Sequence, residues 1–379
     1  MSKRSIFEEV GDGATAAAAQ APAPGAARAE KAKGRKAVIA WLWTLAILLV
    51  VMVAVGGLTR LTDSGLSITE WDLVMGTLPP LSQADWIAAF EQYKTTDEWR
   101  LQNSWMELED FKPIFWWEWG HRFLGRVIGL VWALPLAYFA IRGMIPRGWG
   151  GRLILLGVLG GLQGAIGWWM VYSGLTERVD VAPYRLMTHL GLAFLIFSLI
   201  SWFILKMGRE EWELMAARRR RAKGLFGWGV AAVTVIFLQI LMGALVAGTD
   251  AWTAWNTWPL MEGAFMAPEA MEMAPLWVNF FENPAMTQFV HRTFAYVVLI
   301  VAVIFALKAR GSGHKATGFW ATMLLLGVLA QAAYGVFTLM MVAPIEVAIV
   351  HQVGALALIA LGLRAKFEAA YPAEQKISA

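Results

Sequence analysis

Cysteine is absent from the 379 residues. That excludes disulfides, thiolate zinc sites, iron–sulfur clusters and covalent cofactor attachment through C-x-x-C-H. Charge is also scarce: 16% of residues are Asp, Glu, Lys or Arg, against about a quarter in ordinary soluble domains. Histidine occurs five times, so a bound metal is left to a few imidazoles, carboxylates or a non-covalent cofactor. No G-x-G-x-x-G follows a strand-like segment, which leaves electron exchange to a separate partner. The net charge of +4 is small and its basic residues sit in short loops, a pattern that does not suit nucleic acid.

Long apolar runs fill the space that charge leaves. A helix needs about 20 apolar residues to cross the hydrocarbon core, and eight segments qualify, near 37–59, 121–141, 151–172, 185–206, 226–247, 289–308, 317–341 and 345–363. The expected fold class is an all-α polytopic membrane protein of eight transmembrane helices. Arg142, Arg147, Arg152, the run Arg218 to Arg221, Lys308, Lys315 and Arg364 share one side, whereas 248–290 lacks Lys and Arg and 61–118 is dominated by acids. The positive-inside rule places both termini in the cytoplasm and the chain in a bacterial inner membrane. The Ala/Pro/Gly-rich residues 1–36 are expected as a disordered tail. After it come an N-terminal bundle (37–206) with a long outer loop (60–118), a basic linker (207–225), a C-terminal bundle (226–366) and a second tail (367–379). Of the 21 tryptophans, many favour the outer side, Trp71, Trp116 and Trp258 among them. An interfacial aromatic belt with loop packing is the expected reason, and a lining for a flat aromatic ligand is the lesser alternative.

The two bundles repeat one another. GGLTRLTD (56–63) parallels GALVAGTD (243–250), EWGHRFLGRVI (118–128) parallels QFVHRTFAYVV (288–298), and the third and fourth spans parallel the seventh and eighth. Gln-x3-Gly recurs at Gln163/Gly167, Gln239/Gly243 and Gln331/Gly335. His314 lies in a basic loop. The other four histidines, His121, His189, His291 and His351, end the even-numbered spans on the outer side. A membrane histidine commonly just bonds between helices, but four at matched positions suit two bis-imidazole hemes, one per bundle. Arg122, Arg126 and Arg292 stand beside them as candidate partners for heme propionates, with simple snorkelling as the competing reading. Glu118 lies one turn before His121, whereas Gln288 holds the equivalent place before His291. An acid beside one of two matched sites points to proton chemistry there; an ion pair with Arg122 at i,i+4 is the plainer alternative.

These motifs resemble the heme A synthase family, in its alphaproteobacterial and mitochondrial (type 2) branch. The resemblance rests on GGLTRLTDSGLSITEWDLVMGTLPPL (56–81), FKPIFWWEWGHRFLGRVIG (111–129), LQGAIGWWMVYSGL (162–175), FVHRTFAY (289–296) and VHQVGAL (350–356). It spans 40–365 and implies oxidation of the C8 methyl of heme O to a formyl group, giving heme A for cytochrome oxidase. It further implies heme b on His291 and His351, substrate heme on His121 and His189, and Glu118 as the functional acid. Outer-loop cysteine pairs of another branch are missing, so no thiol entry for electrons exists. Partners implied are membrane lipid, an external electron-transfer protein, heme O synthase and cytochrome oxidase assembly factors; homo-oligomerisation stays open. Two axial imidazoles leave no free site on iron, so either His121 or His189 dissociates, or electrons are removed and water supplies the oxygen.

Two rivals remain: a di-heme b-type membrane electron carrier, which predicts equivalent halves, and a repeat-built transporter, which predicts polar groups near the midplane. The topology has a direct test. A periplasmic reporter fused near Glu269 should be active and one near Arg220 silent; the reverse pattern would overturn the orientation.

Overall fold

The computed structural model describes residues 24–71, 75–176 and 178–374. Among them are eleven α-helices: α1 (Pro24–Leu61), α2 (Gln83–Tyr93), α3 (Leu108–Ile141), α4 (Gly150–Thr176), α5 (Pro183–Met207), α6 (Glu211–Arg220), α7 (Lys223–Gly248), α8 (Asn279–Glu282), α9 (Pro284–Arg310), α10 (Lys315–Met340) and α11 (Ile345–Ala370). Eight of them, all but α2, α6 and α8, are long and apolar enough to cross a membrane. Helices meet this need because each satisfies its own backbone polar groups where water is missing. The expected eight-helix, all-α class holds.

α1, α5, α7 and α11 pack together at the centre, and Val38, Leu42, Phe194, Ile236 and Ile359 in the core come from all four. α3 and α4 flank this centre on one side, α9 and α10 on the other. The flanks differ. α9 packs closely on α10, whereas α3 touches α4 sparsely, and these two helices are the least buried of the eight. Across the centre, Gln352 donates to the Val53 carbonyl (2.9 Å), and Arg60 binds both carboxylate oxygens of Asp250 (2.9 and 2.7 Å).

Helix ends follow local chemistry. α1 and α7 both stop at a Thr-Asp, and Asp63 (φ 46°) and Asp250 (φ 47°) take the left-handed conformation that aspartate tolerates. Asn283 caps α9 by accepting from the amides of Ala285 and Met286, with Pro284 in the first turn. Inside α3, Pro135 has no N–H for the carbonyl of Val131. The indole of Trp41 donates to that carbonyl instead (2.7 Å).

Three expected boundaries move. Residues 24–36, expected in a disordered tail, form the start of α1; AARAEKAKGRKA is rich in strong helix formers. Arg35 ties this start down by donating to the Met207 carbonyl (2.7 Å) and pairing with Glu210. The rest of that tail, 1–23, lies outside the described residues. At the other end, 367–370 continue α11 with Phe367 and Glu368 buried, because Glu368 is paired by Arg209 and Arg364. Most informative is α3, which begins at Leu108 rather than near 121. Its first turns are too polar to read as a span, yet Glu107 and Asp110 form a capping box, and Phe111, Ile114 and Phe115 bury against Phe90 and Tyr93 of α2. The outer loop is thus a folded layer: Tyr93 stacks on Phe111 at 5.2 Å.

That layer buries an acid. Glu98 is 2% exposed, and burial, reinforced by the charges of Glu118 and Asp180, pushes its carboxyl up to about 8. Its partner is the Tyr93 hydroxyl, which also accepts from Asn103 (2.8 Å). The folded state therefore holds a proton on Glu98 that the unfolded chain releases near 4.5. The sign is fixed: Glu98's contribution is full below about 4.5 and is lost as pH rises towards about 8. The penalty at pH 8 is on the order of a few kcal/mol. Purified protein should melt higher at pH 5.5 than at pH 8, and Glu98→Gln should narrow the gap; an undiminished gap in that variant would count against this account.

Candidate functional site

The four histidines fall on α3 (His121), α5 (His189), α9 (His291) and α11 (His351). They come together in pairs: His189 lies within electrostatic reach of His121, and His291 of His351. Each pair belongs to one half, as the repeat predicts.

A glycine on the preceding long helix receives each imidazole. A Cβ at Gly56 would lie 3.0 Å from the His121 ring, at Gly167 2.9 Å from His189, at Gly243 3.0 Å from His291 and at Gly335 2.8 Å from His351. Four residues earlier on three of those helices stands a glutamine, one turn away on the same face. Gln163 donates to the main-chain carbonyl of His189 (3.0 Å), and its amide nitrogen is 3.2 Å from both ring nitrogens. Gln239 bears on His291 in the same way, at 2.9 Å to the carbonyl and 3.1 Å to Nδ1. Gln331 reaches the His351 carbonyl at 2.8 Å and Nδ1 at 3.2 Å. The recurrent Gln-x3-Gly was visible in the sequence; that it grips the histidines was not, because the partner is on another helix.

Such a site fits a bis-imidazole heme. Among the described residues no group of three or more His, Cys, Asp or Glu could hold a bare metal ion, whereas a porphyrin brings four nitrogens and asks for two more. Oε1 of Gln163 and of Gln239 is buried without a hydrogen-bond partner, and turning either amide over would bring that acceptor to the Nδ1–H that a metal-bound imidazole presents. Tyr334 stacks on the His351 ring, planes 11° apart.

Glu118 is 2% exposed and has no spare oxygen. One oxygen accepts from Ser67 Oγ (2.8 Å) and the Ile68 amide (2.7 Å), the other from Arg122 (2.5 Å). The plainer alternative, an i,i+4 ion pair, is therefore present. Arg122 also donates to the carbonyls of Ile68 (2.7 Å) and Glu70 (2.8 Å), under the ring of Trp71. Arg292 does the equivalent, donating to the carbonyls of Trp255 and Thr257 and to Gln288 Oε1. Both arginines thus clamp an outer loop to the helix that carries the histidine. Arg126 lies one turn beyond Arg122, half-buried. Gln288 donates to the carbonyls of Ala251 and Ala254. Its loop offers acceptors; the loop facing Glu118 offers donors. A glutamine at 118 is therefore not a neutral replacement.

A family model described as cytochrome oxidase assembly protein (COX15-CtaA) matches residues 39–363. The chain belongs to the heme A synthase family. It is 54% identical to the heme A synthase of Ruegeria pomeroyi over 98% of each chain. It is 45% identical to that of Paracoccus denitrificans, over 100% of this chain and 99% of the relative. The family match thus covers all four histidines, Glu118 and the three glutamines.

Proposed function

We propose that this protein is a heme A synthase, which oxidises the C8 methyl group of heme O to a formyl group and so prepares heme A for cytochrome oxidase. The observation that carries the reading is a pair of matched imidazole sites of which one alone has a buried carboxylate, Glu118, one turn from its histidine. A simple di-heme carrier has no need of that difference. The acid-bearing half, His121 and His189, takes the substrate heme. The other half, His291 and His351, holds heme b, which when bound supplies a one-electron relay. Both termini face the cytoplasm, and both sites open towards the outer side of the inner membrane.

Conversion of methyl to formyl is two successive two-electron oxidations in which water supplies the oxygen, four protons are released and four electrons leave through an external acceptor protein. The residues supply position and proton control. His121 and His189 hold the substrate from α3 and α5, and the folded layer of α2 and 94–107 excludes water from above. Glu118 takes a proton lost at the methyl carbon, or stabilises positive charge developing there. Its charge is kept in place by Arg122, Ser67 and the Ile68 amide. The sparse contact between α3 and α4 leaves this half accessible from the lipid, where a prenylated porphyrin dissolves.

A second reading of Glu118 has its own observation, the three hydrogen bonds that make it a staple for the outer loop. Two substitutions separate the roles. Glu118→Gln removes the charge, and turnover to heme A should fall at least about a hundredfold, within the usual range of general acid–base contributions. Ser67→Ala removes one bond and keeps the charge, and should cost less than about tenfold. Equal losses, or heme A near the wild-type amount in Glu118→Gln, would make Glu118 a staple.

The heme b assignment is tested without turnover. His291→Ala or His351→Ala should each abolish the low-spin b-type absorbance of the purified protein. Wild-type spectra in both would overturn it.

A further inference from the structure

Of the four imidazoles, three are gripped and one is not. Gly56 faces Nε2 of His121, where the other three glycines face Cε1 of their histidines, and the residue four before it is Met52 where the other helices have Gln163, Gln239 and Gln331. No hydrogen bond reaches the His121 ring among the described residues. A methionine has no N–H to donate to a histidine carbonyl and no amide oxygen to receive Nδ1–H. Its methyl instead lies 3.5 Å from where a Cβ would stand on Gly125, one turn beyond His121. The helix that bears His121 also packs loosely on its neighbour α4, whereas α9, the equivalent helix that bears His291, packs closely on α10.

We infer that Gln163, Gln239 and Gln331 are positioning residues that lock His189, His291 and His351 onto iron, and that Met52 leaves His121 as the one axial ligand able to come off. This rests on the reading of the two pairs as heme ligands. A metal-bound imidazole is ordinarily oriented by a hydrogen bond at its second nitrogen, and losing that bond typically costs about 10–100-fold in metal affinity or activity. In the C-terminal half both histidines have their glutamine, which suits a heme that stays. In the N-terminal half one ligand is fixed and one is unanchored, which suits a porphyrin that must enter, react and leave. Dissociation of His121 breaks one Fe–N bond and opens one coordination position, with no net electron transfer; His189 keeps the porphyrin in register.

The test uses the full-length protein, purified with heme in both sites. Carbon monoxide serves as the probe, because it binds ferrous heme only where an axial ligand leaves. Reduced wild type should bind carbon monoxide at about half of its heme. Met52→Gln should slow that reaction at least about tenfold while the low-spin spectrum and heme content persist. The reciprocal Gln239→Met should make the second half of the heme reactive, and it decides the matter alone if Met52→Gln does not accumulate. Low-spin wild-type protein whose carbon monoxide reactivity neither substitution changes would overturn the role of the glutamines and leave the ligand assignment standing. Wild-type heme with no bis-imidazole signature in electron paramagnetic resonance would overturn both.

Discussion

A polar group inside the hydrocarbon slab must find its partner within the protein, and the rest of this structure depends on how three of four imidazoles meet that demand and the fourth does not. Each is received by a glycine on a neighbouring helix, and three are joined to a glutamine one turn from it. The glycine sets how near the two helices come; the glutamine sets which way the ring faces. The pairing of a glycine on one helix with a histidine on the next occurs four times, and a glutamine completes it in three. The central packing of α1, α5, α7 and α11 joins the two halves.

Duplication makes the departures readable. Glu118 and Gln288 occupy one position, each bonded to the arginine one turn on, yet they face loops of opposite character: donors from Ser67 and Ile68 in one half, carbonyls of Ala251 and Ala254 in the other. Side chain and loop are matched as a unit, so the acid could not have been exchanged without its loop. Met52 against Gln239 is a second departure, and the looser contact of α3 with α4 a third. All three fall in the half assigned to the substrate. The half assigned to the resident cofactor is the more regular one.

The outer layers are clamped rather than draped. Arg122 and Arg292 use their planar forks on loop carbonyls, and a guanidinium presents several donors in a fixed geometry for that purpose. Above α3 the aromatic cluster of α2 and the first turns of α3 closes over Glu98. A buried carboxyl with a second acid nearby weakens the layer as pH rises.

Period, charge and repetition determined a great deal by themselves. Apolar length fixed eight spans, since a run of about 20 residues is the thickness of a bilayer core. Matched spacing picked out His121, His189, His291 and His351 and set Glu118 apart from Gln288. What α3 does before residue 121 stayed hidden, because its first turns are stabilised by α2, a contact remote in sequence, and not by an apolar period. The recurrence of Gln-x3-Gly was legible as a pattern and illegible as a grip, since its target lies on the next long helix. The arginines beside the histidines read as ligand contacts because charge near a cofactor invites that reading; that their donors also reach loop carbonyls is visible only in the tertiary structure. Sequence spacing settles which side chains share a helix face. Which group on another helix or loop completes their hydrogen bonds is settled by packing, and here that choice separates Glu118 from Gln288 and His121 from the other three histidines.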